Sequence, residues 1–317
     1  MPAISASAPG KIILFGEHAV VYGQPAIAIP IHQVSARAVV SALPTSPKGE
    51  VLIDAPDIQL LDTNKNLSPQ NPIVVILNLL QSHLEIDSFP AMRLRIHSTI
   101  PIAGGMGSGA AIAVAILRAV SNFINRQMDD EIINQLAFES EKTFHGTPSG
   151  VDNTVITYAQ PIFFKHGQPF VRMFPACGLT FVIADSGQSS STAEMVTGVR
   201  QRWQQNPDMV GSIFDRIGEI TIRARQLIES NSPQGLGELM INNHQLLQLI
   251  GVSTPKLDYL VGEALFAGAT GAKLSGAGGG GNIIALTDQS NAQDVANRLS
   301  KAGAARTIIT HLTPENH

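Results

Sequence analysis

The segment Pro101-Ile-Ala-Gly-Gly-Met-Gly-Ser-Gly-Ala-Ala111 constrains this chain more than any other. Before it, Met92–His97 alternates apolar with polar residues, the period of a strand with one buried face. After it, Gly109–Val120 is an alanine-rich apolar run that reads as a helix packed tightly on a sheet. The segment must therefore carry a strand into a helix through four glycines within six residues. Glycine permits positive φ and close approach of the backbone to a ligand. The helix N-terminus adds unpaired N–H groups and the positive end of the dipole. Four glycines exceed what a tight turn needs, so the segment reads as an anion-binding loop.

The kind of anion follows less directly. No Gly-Lys-Ser/Thr follows the loop, so it is not a Walker A motif. Gly105-x-Gly107-x-x-Ala110 fits a relaxed dinucleotide fingerprint, which keeps a dehydrogenase under consideration. That fingerprint belongs in the first turn of a βαβ unit. Here the helix leads into a second one, capped at Asp129 or Asp130 and running to about Thr143. Another run, Lys273-Leu-Ser-Gly-Ala-Gly-Gly-Gly-Gly281, lies between a predicted helix and a predicted strand. Five glycines in six positions carry a large entropic cost, which points to a loop approaching a ligand or another backbone, and away from a linker.

The rest of the chain reads as α+β in two domains, 1–170 and 171–317, a division its 317 residues allow. Val34–Ala42 alternates as a strand, Ile73–Leu84 is a buried helix, and Val151–Tyr158 and Pro161–Phe164 look strand-like. Beyond residue 170 come a strand over Gly178–Asp185, helices carrying Ile213, Ile217, Ile220 and then Leu257, Leu260, Val261, a strand over Asn282–Leu286, a helix over Ala292–Ala302 and a strand over Thr307–Leu312. With 44% hydrophobic and 15% charged residues, a disordered chain is excluded. The net charge of -4 and the lack of a basic run argue against nucleic-acid or anionic-membrane partners. The single cysteine, Cys177, rules out an internal disulfide and a cysteine-based zinc site. No secretory signal or spanning segment is read, and the expected setting is the cytoplasm.

Two segments concentrate reactive groups. Lys11 heads an apolar stretch, and Glu17-His18 follows it; alone, these read as a solvated strand end and a turn. Glu141 lies four residues from Ala137 and eight from Ile133, so it should face inward, where a carboxylate needs a cation or a hydrogen-bond donor. Pro148-Ser-Gly150 then turns the chain and presents Asp152 and Asn153. An inward Glu beside a turn-presented Asp is what a metal–phosphate site with a catalytic base requires.

Ala8–Gly23, the loop at 101–111, His145-Gly-Thr-Pro-Ser-Gly-Val-Asp-Asn153 and Lys273–Gly281 resemble, in order, the signature segments of the GHMP kinases. The Gly-Glu-His-Ala-Val-Val-Tyr-Gly and His-Gly-x-Pro-Ser-Gly-x-Asp-Asn wordings are similar to the mevalonate kinase family within it. The resemblance implies an N-terminal domain like ribosomal protein S5 domain 2 and a ferredoxin-like C-terminal domain. It implies transfer of the γ-phosphoryl group of ATP, with Mg²⁺, to the 5-hydroxyl of mevalonate, and a homodimer. Carried onto matching positions, Asp152 would accept the hydroxyl proton beside Lys11, and Glu141 would hold Mg²⁺ with Ser108. Glu17, His18, Ser149 and Thr192 would line the mevalonate region. Pro101, Gly104, Gly105, Met106, Gly107, Ser108, Gly109 and Ala110, with Gly276 and Gly278, would bind ATP.

The wording departs from the family at Gly109, where relatives carry a serine that binds Mg²⁺; Ser108, water or Glu141 alone are the substitutes. Ser190 and Ala193 stand where relatives often place basic residues, and Asn282 where they often have cysteine. Other readings are a GHMP kinase for another alcohol (a mevalonate 3-kinase or phosphomevalonate kinase) and an inactive nucleotide-binding regulator of the same fold.

Overall fold

A computed structural model describes residues 3–101, 104–145, 148–231 and 233–314. The backbone falls into two compact units that are not simply successive in sequence. The first comprises residues up to Lys11 together with Pro30–Pro101 and Gly107–Ala159. The second comprises Ile12–Ile29, Ile102–Met106 and Gln160–His317. Of the signature segments, Ile102, Ala103, Gly146 and Thr147 lie outside the described residues.

Strands β1 (Ile4–Phe15) and β2 (Ala26–Ala42) pair with each other, and both contribute to both units. In the first unit, β3 (Val51–Ala55) and β4 (Leu60–Thr63) pair antiparallel, and helix α1 (Pro72–His83) follows. Strand β5 (Met92–Ser98) lies parallel to β3 and antiparallel to the Ala36–Ala42 end of β2. Three helices complete this unit: α2 (Ser108–Phe123), α3 (Asp130–His145) and α4 (Val151–Tyr158). The alanines of α2 give it a thin profile, so it packs on α1, α3, α4 and β5 together and is buried along nearly its whole length. Arg118 of α2 ties its neighbours: Nη2 donates to Asp130 Oδ1 (2.7 Å) at the start of α3 and to Thr157 O (2.6 Å) near the end of α4.

Helix α4 corrects one sequence expectation, since Val151–Tyr158 reads as a strand and is helical. Its β-branched residues favour extended structure, but Val151 and Val155 are completely buried one turn apart against α2 and α3. Burial on a 3.6-residue period outweighs the local preference, which is small by comparison. A second adjustment concerns Lys11, which sits within β1 and not at its head.

The second unit holds β6 (Ile162–Phe164), paired with Ala26–Ala28 of β2, and β7 (Val171–Arg172), paired with β6. It continues through β8 (Leu179–Asp185), α5 (Thr192–Gln205), α6 (Pro207–Glu229), α7 (Leu236–Leu249), α8 (Pro255–Phe266), β9 (Gly271–Ser275), β10 (Asn282–Thr287), α9 (Ala292–Lys301) and β11 (Arg306–Leu312). Four of these strands form an antiparallel sheet in the order β11-β8-β10-β9. Its core gathers Val182, Ile217, Leu246, Leu260, Ile283 and Leu299. Helix starts are set by polar caps: Ser191 accepts from Glu194 N, and Thr254 from Leu257 N with Pro255 at the first position. Each such cap contributes about 1 kcal/mol.

Candidate active site

The first unit brings together Lys11, Asp152, Glu141 and the start of α2. Lys11 Nζ lies 2.8 Å from Asp152 Oδ1; the lysine is 4% exposed and the aspartate side chain 30%. A glycine packs against the lysine of this pair. At Gly107, φ is +72°, and a Cβ would meet Ile156 Cδ1 at 2.6 Å and Lys11 Cγ at 2.9 Å. The loop therefore rests directly on the lysine stem. Gly107 also precedes α2 as its cap and offers no side chain, so the first-turn amides of Ser108, Gly109 and Ala110 remain uncapped. Ser108 is half-buried and Ala110 buried, while Gly109 is exposed and has no heavy atom within 4 Å of a built Cβ. Pro101 is half-buried just before the loop.

Glu141 projects from α3 on the face of Ile133 and Ala137, as its spacing predicts, and is buried with them. Burial, reinforced by the nearby Asp152 charge and opposed by Lys11, pushes its carboxyl up to about 8. At pH 7 Glu141 is therefore mostly protonated, while Asp152 keeps its ion pair with Lys11. Ser149 Oγ accepts from Val151 N at 3.4 Å ahead of α4. Asn153 anchors α4 to α3 through Nδ2, which donates to Asn134 Oδ1 at 2.6 Å.

The second unit joins both glycine runs. Gly104 O accepts from Asn282 Nδ2, and the built Cβ of Gly281 lies 3.6 Å from the same oxygen. Gly105 O is 3.9 Å from a Cβ built on Gly276, and Met106 is buried. The run 276–281 is folded and specific. A Cβ at Gly278 would sit 2.1 Å from Val252 O, Ser190 Oγ donates to Gly278 O (2.6 Å), and Gly279 N donates to Val252 O (2.8 Å). Thr192 is exposed in the first turn of α5.

His18 reaches the same run: its Nε2 is 2.8 Å from Ala277 O and so carries the proton. Burial lowers its pKa to about 4, against the Ala277 bond and with help from Arg202, so the ring is neutral at pH 7. Glu17 departs from the expectation that it lines the substrate. Its side chain exposes no surface; Lys273 Nζ donates to Oε1, and Asn243 Nδ2 to Oε2 at 3.3 Å. Burial pulls the Lys273 ammonium below its ordinary value, with Glu17 acting against that. Sequence reasoning missed Lys273 and Asn243 as partners. The usable signal was a lysine inside the apolar strand Ala272-Lys-Leu274, where an unpaired charge has no place.

Among the described residues, no group of three or more His, Cys, Asp or Glu side chains is gathered that could hold a metal ion unaided. None of the helices they form is long and apolar enough to cross a membrane.

Comparison with known proteins identifies the family. Residues 71–160 match the model of the GHMP kinases N terminal domain, and residues 224–305 that of the GHMP kinases C terminal domain. A mevalonate kinase from Pyrococcus abyssi is 36% identical over 98% of this chain and 96% of its own length. One from Methanothermobacter thermautotrophicus is 38% identical over 89% of each. Among solved structures, L. major mevalonate kinase in complex with R-mevalonate superposes with a TM-score of 0.84 at 29% identity, covering 99% of this chain and 97% of that one.

Proposed function

Since the chain belongs to the GHMP kinase family, we propose that it is a mevalonate kinase, transferring the γ-phosphoryl group of Mg-ATP to the 5-hydroxyl of (R)-mevalonate. The observation that carries the reaction type is the Lys11–Asp152 pair, 2.8 Å apart, with the glycine ahead of α2 seated on the lysine. The acceptor O–H bond breaks as its proton passes to the Asp152 carboxylate. The freed oxygen forms the new O–P bond, and the bond from the γ-phosphorus to the bridging oxygen breaks, leaving ADP. Lys11 offers positive charge to the transferring group and orients Asp152. Such transfers depend mainly on positioning and on charge stabilisation, with little covalent work for the protein.

The first-turn amides of Ser108, Gly109 and Ala110 suit a phosphate, for the reasons a helix N-terminus always does. We assign the nucleotide to Pro101, to Gly104–Ala110 and to the run containing Gly276 and Gly278, and the mevalonate region to His18, Ser149 and Thr192. The neutral His18 ring, its Nε2 proton given to Ala277 O, keeps Nδ1 as an acceptor for a hydroxyl.

Magnesium fits the first-unit cluster. Glu141 is an inward carboxylate whose pKa is raised first by burial and then by the Asp152 charge, and a divalent cation bound there would favour its ionised form. One or two carboxylates are the usual protein contribution to Mg²⁺, with phosphates and water supplying the rest. Glu141 would hold it, with Ser108 the hydroxyl-bearing residue in the first turn of α2. Once bound, the ion neutralises phosphate charge. The same reading carries a cytoplasmic homodimer working in isoprenoid biosynthesis.

The test is ADP release by the purified protein with mevalonate, phosphomevalonate, homoserine and galactose in parallel. Turnover with mevalonate well above the others is expected. ADP no higher with mevalonate than with buffer, while another alcohol responds, refutes the substrate.

A further inference from the structure

The Glu17–Lys273 pair is embedded in a wider hydrogen-bonded network of buried and half-buried groups. Lys273 Nζ also donates to Leu274 O at 2.7 Å, and Leu274 N donates to His244 Nδ1 at 3.2 Å. His244 Nε2 in turn lies 3.1 Å from Asp258 Oδ1, which accepts from Ser253 Oγ at 2.5 Å. Glu17 is thus gripped from β9 through Lys273 and from α7 through Asn243, with β9 itself tied to α7 and α8.

The next residue, His18, has φ +59° and ψ -48°, a conformation that side chains with a Cβ avoid. Strained backbone persists only where the surroundings over-determine it. Here the restraints are the locked Glu17 on one side, the bond from Ala19 N to Glu17 O (2.6 Å) and that from Val21 N to His18 O (3.1 Å). The strain has a product, since this conformation aims His18 Nε2 at Ala277 O within the glycine run.

We propose that Lys273 and Asn243 are positioning residues for phosphoryl transfer. By locking Glu17 they hold His18 in its strained conformation, and through His18 they fix residues 276–281 without touching substrate. What the run binds is taken from the kinase reading above; the lock itself is not.

The test uses Asn243→Leu and the double variant Glu17→Gln, Lys273→Met. Neither leaves a buried charge without a partner, and Asn243 Oδ1 already has no hydrogen-bond partner, so both are expected to fold. In the full-length protein, kcat/KM is expected to fall on the order of 10-fold in the single variant and up to 100-fold in the double, at near-parental Tm. Hydrogen exchange without substrate is expected to speed up at Gly279 and Gly281, whose amides bond Val252 O and Gln188 O at 2.8 Å. A folded double variant with parental kcat/KM overturns the proposal. Faster exchange with unchanged kcat/KM also overturns it, because the lock would then be structural only. If both variants fail to fold, Glu17→Asp, which keeps the charge but withdraws it by one methylene, is read by the same two measurements. Should the parent not phosphorylate mevalonate, the substrate assignment falls by itself, and exchange still decides whether the lock holds the run.

Discussion

Replacing Gly107 with alanine tests whether the glycine loop holds Lys11 in place. At φ +72°, an alanine pays about 1–2 kcal/mol for its left-handed backbone. Its Cβ would also lie 2.6 Å from Ile156 Cδ1 and 2.9 Å from Lys11 Cγ, so both side chains must shift. Overpacking of this size costs roughly 1–3 kcal/mol more. The sum, about 2–5 kcal/mol, corresponds to a fall in Tm of roughly 3–7 °C for a chain of 317 residues. The expected loss of activity comes from geometry: moving the ammonium by even ~1 Å can cost on the order of 10²-fold in rate. Gly109→Ala serves as the matched stability control, because its Cβ meets no heavy atom within 4 Å and its φ is not positive. That variant should match the parent's Tm or exceed it slightly, alanine being the better helix former. Differential scanning calorimetry and steady-state kinetics on both variants decide the matter. A Gly107→Ala protein with parental Tm and kcat would refute the claim that the loop positions Lys11.

Three further outcomes are expected. Asp152→Asn should lower kcat by at least ~10²-fold while nucleotide binding, read by fluorescence titration, is retained; near-normal turnover would remove Asp152 from its role. Glu141 titrates near 8 in the folded protein against 4.5 when unfolded, so between those values folding favours the protonated form. Its contribution is complete at low pH and is lost as pH rises toward 8; thermal melts in chelator should show that decline, and Glu141→Gln should flatten it. Gly109→Ser has open space for its hydroxyl in the first turn of α2 and should lower the Mg²⁺ concentration that half-saturates activity and nucleotide binding. An unchanged Mg²⁺ dependence would show that the position does not face the metal.

Much of the fold was legible because burial leaves a periodic trace. The strand at Met92–His97 and the inward direction of Glu141 followed from spacing, and the helix after the glycine loop from its alanine-rich apolar run. Helix α4 was not legible, since eight residues hold too little of the helical period to outweigh five β-branched side chains. What makes it helical is packing against α2 and α3, which local sequence does not encode. The site divides in the same way. Asp152 was found as a turn-presented acid, but its distance from Lys11 is a product of tertiary structure, and only the resemblance to a family brought the two together beforehand. The partners of Glu17 were missed for the same reason, being 226 and 256 residues away.

That last separation has a consequence during synthesis. At roughly 5–20 residues per second, about 13–50 s pass between translation of Glu17 and that of Lys273. Throughout that interval the acid destined for the interior of the second unit lacks the cation that permits its burial. The segment Ile12–Ile29 therefore cannot be completed as the nascent chain emerges, although it is among the first parts made. It must stay hydrated, or be sheltered by a chaperone, until β9, the second of the sheet's four strands in chain order, has been synthesised. A ribosome that stalls before β9 releases a chain whose first unit has all its residues and whose second still has an unpaired carboxylate.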